Sequence, residues 1–353
     1  MIYDVAIVGC GPAGAQAAYE LERFGHNIIV LDKVKFPRNK PCAGVLPPRI
    51  YSELEIPDNI MERPLEGYRI FSPSGVMVES VFSQRGMIVR REKFDDFLVK
   101  RLNTKLKEGR VVGCIARTDS VELKLDNSSV YAKMVIGSDG VNSVIRKHSG
   151  IDDKNLSEDM ALALQYEISV NQEKIDKLIG NWFEVYYTIP YGYGWISPLK
   201  DALKVGVGSV SLDFKRNSKK YLEEFLERHV RKKILLGSAP ESIESHLIPM
   251  RGPLNKLTSN RTILAGDAGG FVYPGTGEGV FYALKSGRLA AEVTNQALME
   301  ERFDPEFLEE LYYEKLQKKG LFSLREVNFI DDVLSNPDNA ERYIKRLKGL
   351  GRT

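Results

Sequence analysis

Cysteine, histidine and tryptophan are scarce in this chain of 353 residues, which has three cysteines, four histidines and two tryptophans. Cys10, Cys42 and Cys114 are far apart, and none belongs to a CxxC pair or stands beside a histidine. This spacing argues against a disulfide framework and against a metal site of the zinc type. We therefore expect reduced thiols, which are typical of a cytoplasmic protein.

Net charge and long apolar runs are also nearly absent. The 50 Lys and Arg residues almost balance 48 Asp and Glu residues, and the formal net charge of +2 lacks the basic excess of a nucleic-acid-binding protein. No apolar run approaches the roughly 20 residues that span a bilayer. Met1 leads directly into a strand-like run, which leaves no room for a signal peptide. We expect a small-molecule partner, no nucleic acid, and a protein that is soluble or peripheral on a membrane.

The first 32 residues carry the most informative pattern of the chain. An apolar run at residues 3–8 precedes GCGPAG at residues 9–14, and a second apolar run closes on Asp32. This order predicts a strand, a tight turn, a helix and a strand. Gly9 permits the turn, Gly11 lets a diphosphate approach bare backbone, and Gly14 allows helix and strand to pack closely. Asp32 is placed to bind a ribose hydroxyl, so the pattern favours a dinucleotide over an ordinary turn.

The segment that follows Asp32 is rich in Pro, Lys and Arg and contains KPCAG at residues 40–44. Pro and Gly argue against a regular element. Such a loop leaves the carboxyl edge of a parallel sheet, where α/β proteins bind ligands. We expect Cys42 to lie near the cofactor; the alternative is a small apolar filler in a surface loop.

Further signals lie at helix starts. Arg91 begins an amphipathic helix, where its positive charge opposes the helix dipole. Either a phosphate or carbonyl group binds Arg91 there, or Arg91 is a solvated surface charge.

GSDGVNS at residues 137–143 places Asp139 and exposed amides after an apolar strand. AGDAGG and PGTGEG, at residues 265–270 and 274–279, precede a helix at 280–298. Such glycine density indicates backbone pressed against a ligand, with the helix dipole directed at a negative charge such as a reduced flavin.

A second sheet is predicted between these motifs. Its hairpin spans residues 68–82, and a helix is predicted at 221–236. Further strands are expected at 163–170, 182–189, 204–212 and 243–248. PYGYGW at residues 190–195 mixes rings with glycines, which suits a cavity wall better than a packed core.

The chain ends in a helical, basic tail that contains Arg342, Lys345, Arg346, Lys348 and Arg352. A solvated face and attraction to a membrane surface are the two interpretations.

Three separated motifs, GCGPAG with Asp32, GSDGVNSVIR and AGDAGGFVYPGTGEG, together resemble the FAD-dependent oxidoreductases of the p-hydroxybenzoate hydroxylase type over nearly the whole chain. KPCAG resembles the KPCGG loop of geranylgeranyl reductases, and YGWISP resembles their YxWxFP signature. This chain departs from those motifs with Ala43 in place of Gly and Ser197 in place of Phe. It also looks short at its C-terminal end. These departures bear on the substrate more than on the chemistry.

The resemblance implies an FAD site built from all of these motifs. Asp139 would serve both FAD and NAD(P)H, Asp267 would bind the ribitol, and residues 274–279 would line the flavin ring. The full implied set of cofactor-binding residues is Gly9, Gly11, Pro12, Ala13, Gly14, Asp32, Lys33, Cys42, Ala43, Gly44, Arg91, Asp139, Gly140, Gly266, Asp267, Pro274, Gly277, Glu278 and Gly279.

The resemblance also implies the activity: an FAD-dependent reductase that saturates isoprenoid double bonds of a prenyl lipid or prenyl diphosphate. The electron donor would be NAD(P)H or a reduced ferredoxin-type carrier. Cys42 would face the flavin as a catalytic residue, and Tyr193 and Trp195 would wall the prenyl tunnel. The alternatives are an FAD-dependent aromatic monooxygenase or halogenase, and a non-catalytic electron-transfer or lipid-carrier protein that binds flavin.

The expected fold class is α/β (α+β overall), with a Rossmann-type FAD-binding domain, an inserted antiparallel-sheet substrate domain and a helical C-terminal segment. We predict the FAD-binding domain at residues 1–66, 87–158 and 255–300. The substrate domain is predicted at 67–86 and 159–254, and the C-terminal segment at 301–353. No metal site is expected.

Overall fold

A computed structural model describes residues 2–151, 160–231 and 242–349 of the protein. The chain forms two compact units, each built from three segments of sequence. The first unit contains Met1–Arg38, Phe94–Asp159 and Pro249–Val327, and the second contains Asn39–Lys93, Met160–Ile248 and Asn328–Thr353. Residues 39–66, 87–93 and 328–353 thus belong to the second unit and residues 249–254 and 301–327 to the first, whereas the predicted domain boundaries assign them elsewhere. The division into a cofactor domain and a substrate domain stays a prediction.

Both units contain strands and helices. In chain order, the strands are β1 (Ile2–Val8), β2 (Ile28–Asp32), β3 (Val45–Leu46), β4 (Met61–Phe71), β5 (Met77–Val89), β6 (Leu106–Glu108), β7 (Val111–Ala116), β8 (Val121–Leu125), β9 (Ser129–Gly137), β10 (Met160–Ser169), β11 (Trp182–Tyr186), β12 (Gly192–Pro198), β13 (Ala202–Ser209), β14 (Glu244–Pro249), β15 (Thr258–Ser259) and β16 (Thr262–Leu264).

The α-helices are α1 (Pro12–Arg23), α2 (Arg91–Lys100), α3 (Val144–His148), α4 (Gln172–Leu178), α5 (Leu212–Leu226), α6 (Val280–Glu300), α7 (Pro305–Lys318) and α8 (Pro337–Gly349). Short 3-10 helices occur at Pro48–Ser52, Asp58–Ile60, Gly266–Gly269 and Phe322–Glu326, and single π turns at Glu227–Arg231 and Ile330–Leu334. Among the described residues, no helix combines the length and apolar composition needed to cross a membrane.

The sheet of the first unit is parallel at its centre. Its strands follow the order β15-β16-β9-β1-β2-β6, and the β7-β8 hairpin continues from β9. β1 pairs in parallel with β2 on one side and with β9 on the other, and β9 pairs in parallel with β16. The carboxyl ends of these four strands therefore meet at one edge of the sheet. That edge, at the point where the strand order reverses beside β1, is where open α/β sheets bind ligands.

The second unit contains a separate sheet in the order β14-β10-β13-β12-β11-β4-β5-β3. Its strands pair mostly antiparallel, as predicted, but β4 and β11 pair in parallel. The predicted hairpin is the β4-β5 pair, with its turn at residues 72–76. The α/β fold class with two distinct sheets is confirmed.

Two local predictions for this second sheet need correction. Residues 192–198 form a central strand, β12, which is missing from the predicted strands at 182–189 and 204–212. The predicted cavity wall at residues 190–195 stays a prediction. The predicted helix at 221–236 instead begins at Leu212 and bends at Asn217, because β13 ends earlier than expected. Residues 232–236 of that prediction lie outside the described residues.

The two faces of the second sheet are covered differently. Apolar side chains of α5, among them Phe214, Leu222 and Phe225, pack with Val205 and Val207 on one face. The opposite face carries an aromatic cluster, treated below. α8 packs Ile344 into a smaller core built around residues 76–78, 185–193 and 329–347.

Candidate functional site

The turn between β1 and α1 is too tight for side chains at two of its glycines. Gly9 has a φ of +90°, and a Cβ added there would lie 2.4 Å from the carbonyl oxygen of Ser138. A Cβ on Gly14 would lie 1.8 Å from the carbonyl oxygen of Gly9. Both distances are far inside van der Waals contact, so the fold itself requires these two glycines. This is the role predicted for Gly9 and Gly14.

Asp32 fixes the shape of this turn from the neighbouring strand. Its Oδ2 accepts a hydrogen bond of 2.8 Å from the Cys10 amide, and its Oδ1 accepts one of 3.2 Å from the Val34 amide. The Cys10 side chain is fully buried, and burial together with the Asp32 charge raises the pKa of its thiol well above the usual range. Cys10 is therefore an inert thiol, and Asp32 keeps lone pairs to accept further hydrogen bonds.

Gly11 differs from its two neighbouring glycines, because the space beside it is open. Among the described residues, the Nη2 of Arg38 is the one heavy atom within 4 Å of an added Cβ, at 3.6 Å. Arg38 is held by Asp95, with 3.2 Å between Nη2 and Oδ2. An uncovered backbone at the start of a helix, beside a guanidinium group, is suited to an anion such as a diphosphate. No sequence signal identified Arg38, because its position depends on the path of an irregular loop.

The second motif follows β9 and is centred on Asp139. The carboxylate accepts hydrogen bonds from the Ser143 hydroxyl at 2.5 Å and from the amides of Val144 and Ile145 at 2.6 and 3.2 Å. Burial raises the pKa of Asp139, while these hydrogen bonds oppose that rise. Asp139 thus caps the short helix α3, and its predicted contact with FAD and NAD(P)H stays a prediction. The adjacent Gly140 has a φ of +83°.

The third motif packs against the first two. A Cβ on Gly266 would lie 2.8 Å from the Cβ of Ala13, and the Gly266 amide donates to the Ser286 hydroxyl at 3.0 Å. Arg146, which ends the second motif, donates to the carbonyl oxygens of Ala268 and Val141 at 3.0 and 2.9 Å. Three motifs separated by more than 100 residues therefore lie together at the carboxyl edge of the parallel sheet.

The glycine-rich segment before α6 completes this part of the site. Gly277 has a φ of +68°, and the Tyr273 amide donates to the Glu278 carbonyl oxygen at 3.0 Å, which closes the segment into a turn. The Oδ1 of Asp267 lies 3.5 Å from the position of a Cβ on Gly279. Asp267 and the start of α6 are therefore adjacent, as the sequence predicts for a shared ligand.

These features fit a dinucleotide. The first unit offers a bare backbone at Gly11, the starts of α1 and α6 without a side-chain cap, and a carboxylate at the end of β2. The predicted cofactor-binding residues that it brings together are Gly9, Gly11, Pro12, Ala13, Gly14, Asp32, Asp139, Gly140, Gly266, Asp267, Pro274, Gly277, Glu278 and Gly279. Lys33 belongs to the same unit and is exposed.

The remaining predicted site residues belong to the second unit. Tyr193 and Trp195 lie on the aromatic face of its sheet, with their ring centroids 6.0 Å apart. The Trp195 ring lies directly over Gly206. A Cβ added to Gly206 would be 2.1 Å from that ring. Further apolar side chains of this face are Leu65, Tyr68, Phe82, Ile88, Ala163, Phe183 and Val185.

A second tyrosine, Tyr68, lies on the same face as Tyr193. Only Tyr193 was predicted as a substrate-binding residue. Tyr68 packs edge-on against Phe82 and Phe183, with centroid distances of 5.0 and 5.9 Å. Burial raises the pKa of Tyr68 to about 12, and burial also raises the pKa of Tyr193. Both phenols therefore stay protonated at neutral pH.

The KPCAG loop belongs to the same unit. The Cys42 side chain is partly buried, and its Sγ accepts a hydrogen bond of 3.4 Å from the Gly44 amide. Gly44 has a φ of +77°, and a Cβ there would lie 2.0 Å from the Val89 carbonyl oxygen.

Arg91, at the start of α2, is 3% exposed, so it is not the solvated charge considered above. The contacts predicted between FAD and Cys42, Ala43, Gly44 and Arg91 stay predictions.

Comparison with known proteins identifies the class of this site. Residues 2–56 and 100–292 match the family described as FAD binding domain, which covers more than half of the chain. Together with the converging glycine motifs, this match defines an FAD-dependent oxidoreductase. FAD is the cofactor.

The relatives narrow that class. A digeranylgeranylglycerophospholipid reductase of Methanocaldococcus jannaschii is 30% identical over 336 residues, spanning 90% of this chain and 83% of the relative. A chloroplastic geranylgeranyl diphosphate reductase of Arabidopsis thaliana is 32% identical over 316 residues, spanning 82% of this chain and 64% of the relative. The chain belongs to the geranylgeranyl reductase family, whose members are FAD-dependent oxidoreductases that act on carbon–carbon double bonds.

A solved structure supports the fold. The geranylgeranyl bacteriochlorophyll reductase-like protein of Thermoplasma acidophilum superposes with a TM-score of 0.84 over 98% of this chain and 91% of that chain. Its sequence identity is 24%, so this likeness concerns the fold alone.

Proposed function

We propose that this protein saturates isoprenoid double bonds of a prenyl lipid or prenyl diphosphate. The observation that supports this substrate class most directly is the aromatic face of the second sheet, where Tyr68, Phe183, Tyr193 and Trp195 border one another. The two relatives are named for substrates with geranylgeranyl chains. A prenyl chain is apolar along its length, so an apolar face with few charged groups matches its chemistry.

The residues of the first unit would hold FAD. The uncovered amides at the start of α1 would bind the diphosphate with Arg38 beside them, Asp32 would accept from the ribose hydroxyls, and Asp267 would accept from the ribitol. The amides that precede α6 would border the flavin ring. Gly9 and Gly14 would act indirectly, by giving the turn its shape.

When bound and reduced, FAD would supply a hydride to one alkene carbon, and the neighbouring carbon would take a proton. An isolated trisubstituted alkene is unactivated, so the protein must orient it and exclude water. Tyr193 and Trp195 would do so by packing along the chain of the substrate. Tyr68 would contribute a third ring, and its protonated phenol adds a polar group to an otherwise apolar surface.

Anaerobic turnover tests this proposal. Dithionite-reduced protein should convert geranylgeranyl diphosphate, or a geranylgeranylated glycerol lipid, to products heavier by two hydrogens per reduced bond, as detected by mass spectrometry. NADH, NADPH and a reduced ferredoxin should then be compared as physiological donors. Substrate that is unchanged without oxygen but gains one oxygen atom in air would support the monooxygenase alternative instead. Bound lipid that is never saturated would support the carrier alternative.

We also propose that α8 contacts anionic membrane surfaces. Its apolar side is buried through Ala340 and Ile344, and its exposed side carries four basic residues, Arg342, Lys345, Arg346 and Lys348. Arg352 lies outside the described residues. The apolar side of α8 is buried against the protein, so it is not available for insertion into the bilayer. Electrostatic attraction to anionic lipids would therefore produce the binding, with about 1 kcal/mol of binding free energy per basic residue.

Vesicle sedimentation tests this membrane contact. The protein should sediment with anionic vesicles at low salt, and changing the four basic residues to Gln should abolish that binding. A matched variant that changes Arg216, Lys219 and Lys220, which are exposed on α5, should still bind. Equal binding to neutral vesicles, or no effect of the α8 changes, would contradict the proposal.

A further inference from the structure

Three buried polar side chains on the aromatic face of the second sheet reach the KPCAG loop. Lys204 Nζ donates to the Cys42 carbonyl oxygen at 2.9 Å, and Ser197 Oγ donates to the Ala43 carbonyl oxygen at 2.8 Å. Gln165 Nε2 lies 3.5 Å from the Cys42 carbonyl oxygen. Lys204, Ser197 and Gln165 are 3%, 0% and 2% exposed.

Strand register explains why these side chains act together. Ser197 on β12 lies directly opposite Lys204 on β13, and Gln165 on β10 lies opposite Gly206, two residues further along β13. Side chains at these positions project from the same face of the sheet. A buried ammonium or hydroxyl group must find hydrogen-bond acceptors, and the two consecutive carbonyls of the loop provide them.

The last residue of the KPCAG loop, Gly44, is held by the backbone of β5. The Val89 amide donates to the Gly44 carbonyl oxygen at 2.8 Å, and the Gly44 amide points to the Cys42 sulfur. The backbone is therefore held at three consecutive residues: by Lys204 at Cys42, by Ser197 at Ala43 and by the Val89 amide at Gly44. A thiol on such a segment has a defined direction.

We propose that Lys204 and Ser197 are positioning residues, which hold the Cys42 thiol in one orientation through the backbone of its loop. The importance of that thiol for substrate reduction rests on the proposed function, but its positioning does not. Neither residue touches the reacting atoms in this role. The family signature has Phe at position 197. In this chain the Ser197 hydroxyl takes the place of that ring and binds the loop at Ala43.

Thiol alkylation measures this positioning directly. Cys10 and Cys114 are 0% and 3% exposed, whereas Cys42 is partly exposed, so iodoacetamide should modify Cys42 first in the folded protein. Peptide mass spectrometry reports the three rates separately. Ser197→Ala and Lys204→Met should each raise the Cys42 rate about tenfold, the effect of losing one buried hydrogen bond that closes the loop. Rates are compared at the alkaline limit, so that thiol ionisation does not contribute.

Two further variants separate positioning from general loosening of the fold. Ser197→Thr keeps the hydroxyl and should keep the original Cys42 rate. Ser209→Ala removes an equally buried hydroxyl of β13 that donates to the Pro190 carbonyl oxygen at 2.7 Å, so it loosens a different loop and should leave Cys42 unaffected.

The outcomes are distinct. Faster alkylation of Cys42 alone supports the proposal. An unchanged Cys42 rate in both Ser197→Ala and Lys204→Met would overturn it, as would an equal increase in Ser209→Ala. If Lys204→Met exposes all three thiols, that variant has unfolded and Ser197→Ala alone decides. Because alkylation requires no turnover, a wild-type protein that reduces no prenyl substrate would refute the proposed function and leave this test intact.

Discussion

The hydroxyl of Ser197 donates a 2.8 Å hydrogen bond to the carbonyl oxygen of Ala43. These are the two positions at which the chain departs from the motifs that it otherwise shares with geranylgeranyl reductases. They are 154 residues apart in the sequence and in direct contact in the fold. A phenyl ring at position 197 could not make this hydrogen bond, whereas the carbonyl at position 43 is present with either Ala or Gly. The contact therefore depends on Ser197, and it brings the two departures together in space.

This link predicts how restoring the family residues affects stability. Ser197 is fully buried, so Ser197→Phe should lower the free energy of unfolding by about 1 to 3 kcal/mol through overpacking. The backbone of residue 43 lies against position 197, and Ala43→Gly removes the methyl group of that residue and frees its backbone, so the double variant should recover at least about 0.5 kcal/mol relative to additivity. Urea denaturation of the four proteins measures this coupling. Strict additivity would show that the two departures are unrelated.

The glycines of the first turn predict two different defects. Gly11→Val should fold, because the space beside Gly11 is open and its φ and ψ of −71° and −172° suit a β-branched residue. It should lose FAD, since the side chain fills the approach to the diphosphate. Gly14→Val should instead fail to fold, because of the 1.8 Å approach to the Gly9 carbonyl oxygen.

Flavin absorbance after purification and circular dichroism distinguish these two outcomes. A folded Gly11→Val protein that is still yellow would contradict the diphosphate assignment. A stable Gly14→Val protein would contradict the packing argument.

The parts of the site that could be predicted from sequence are those that directly follow a recognisable strand along the chain. Each glycine motif directly follows an apolar strand, and parallel strands end at a common edge, so convergence of the three motifs follows from local patterns. Asp32 was predicted in the same way. Its hydrogen bond to the Cys10 amide was not, but that contact is a consequence of the same turn.

Other parts depend on partners that no local pattern reveals. Lys204 looks like an ordinary strand residue until register places it opposite Ser197. No strand was predicted at residues 192–198, where glycines weaken the pattern, yet Gly194 leaves room for Phe225, and Gly206 on the neighbouring strand is needed to admit the Trp195 ring. Arg38 reaches Gly11 through a loop without regular structure. In each case tertiary packing, rather than local propensity, decides the position.

Cofactor and substrate roles predict separable effects for Asp267 and Trp195. Asp267→Ala should lose flavin, because its carboxylate lies beside the start of α6. Trp195→Phe should retain flavin and lose most turnover on prenyl substrates, since the smaller ring leaves the surface above Gly206 unfilled. Phe is preferred to Ala here because removing a buried Trp outright costs about 3 to 5 kcal/mol of stability.

Flavin content and steady-state turnover, measured on the same preparations, test this separation. A folded Trp195→Phe protein with full activity on each accepted substrate would show that the ring does not contact the prenyl chain. Retention of flavin by Asp267→Ala would argue against the ribitol contact.

The last prediction concerns pH and the attachment of α8 to the β4-β5 hairpin. Glu341 accepts hydrogen bonds from the Ser74 hydroxyl at 2.7 Å and the Ser74 amide at 3.1 Å, and Lys345 lies 3.2 Å away. These contacts, together with a hydrogen bond from the Ser72 hydroxyl, lower the pKa of Glu341 from its ordinary 4.5 to about 2. The folded protein therefore holds the ionised carboxylate more strongly than the unfolded chain does. The resulting stabilisation is complete above pH 4.5 and is lost as the pH falls through the window down to about 2.

Glu341→Gln removes the charge, so the variant should be less stable than the wild type at pH 7, and the difference between their urea midpoints should shrink steadily below pH 4.5. Because Ser74 supplies the hydrogen bonds, a Ser74→Ala background should reduce the difference at pH 7 as well. Hydrogen exchange of the α8 amides provides a local measurement, with protection of this helix decreasing in acid before that of the β1-β9 pair. A stability difference that grows as the pH falls would mean that Glu341 is held in its protonated form, the opposite of what its contacts with Ser74 and Lys345 predict.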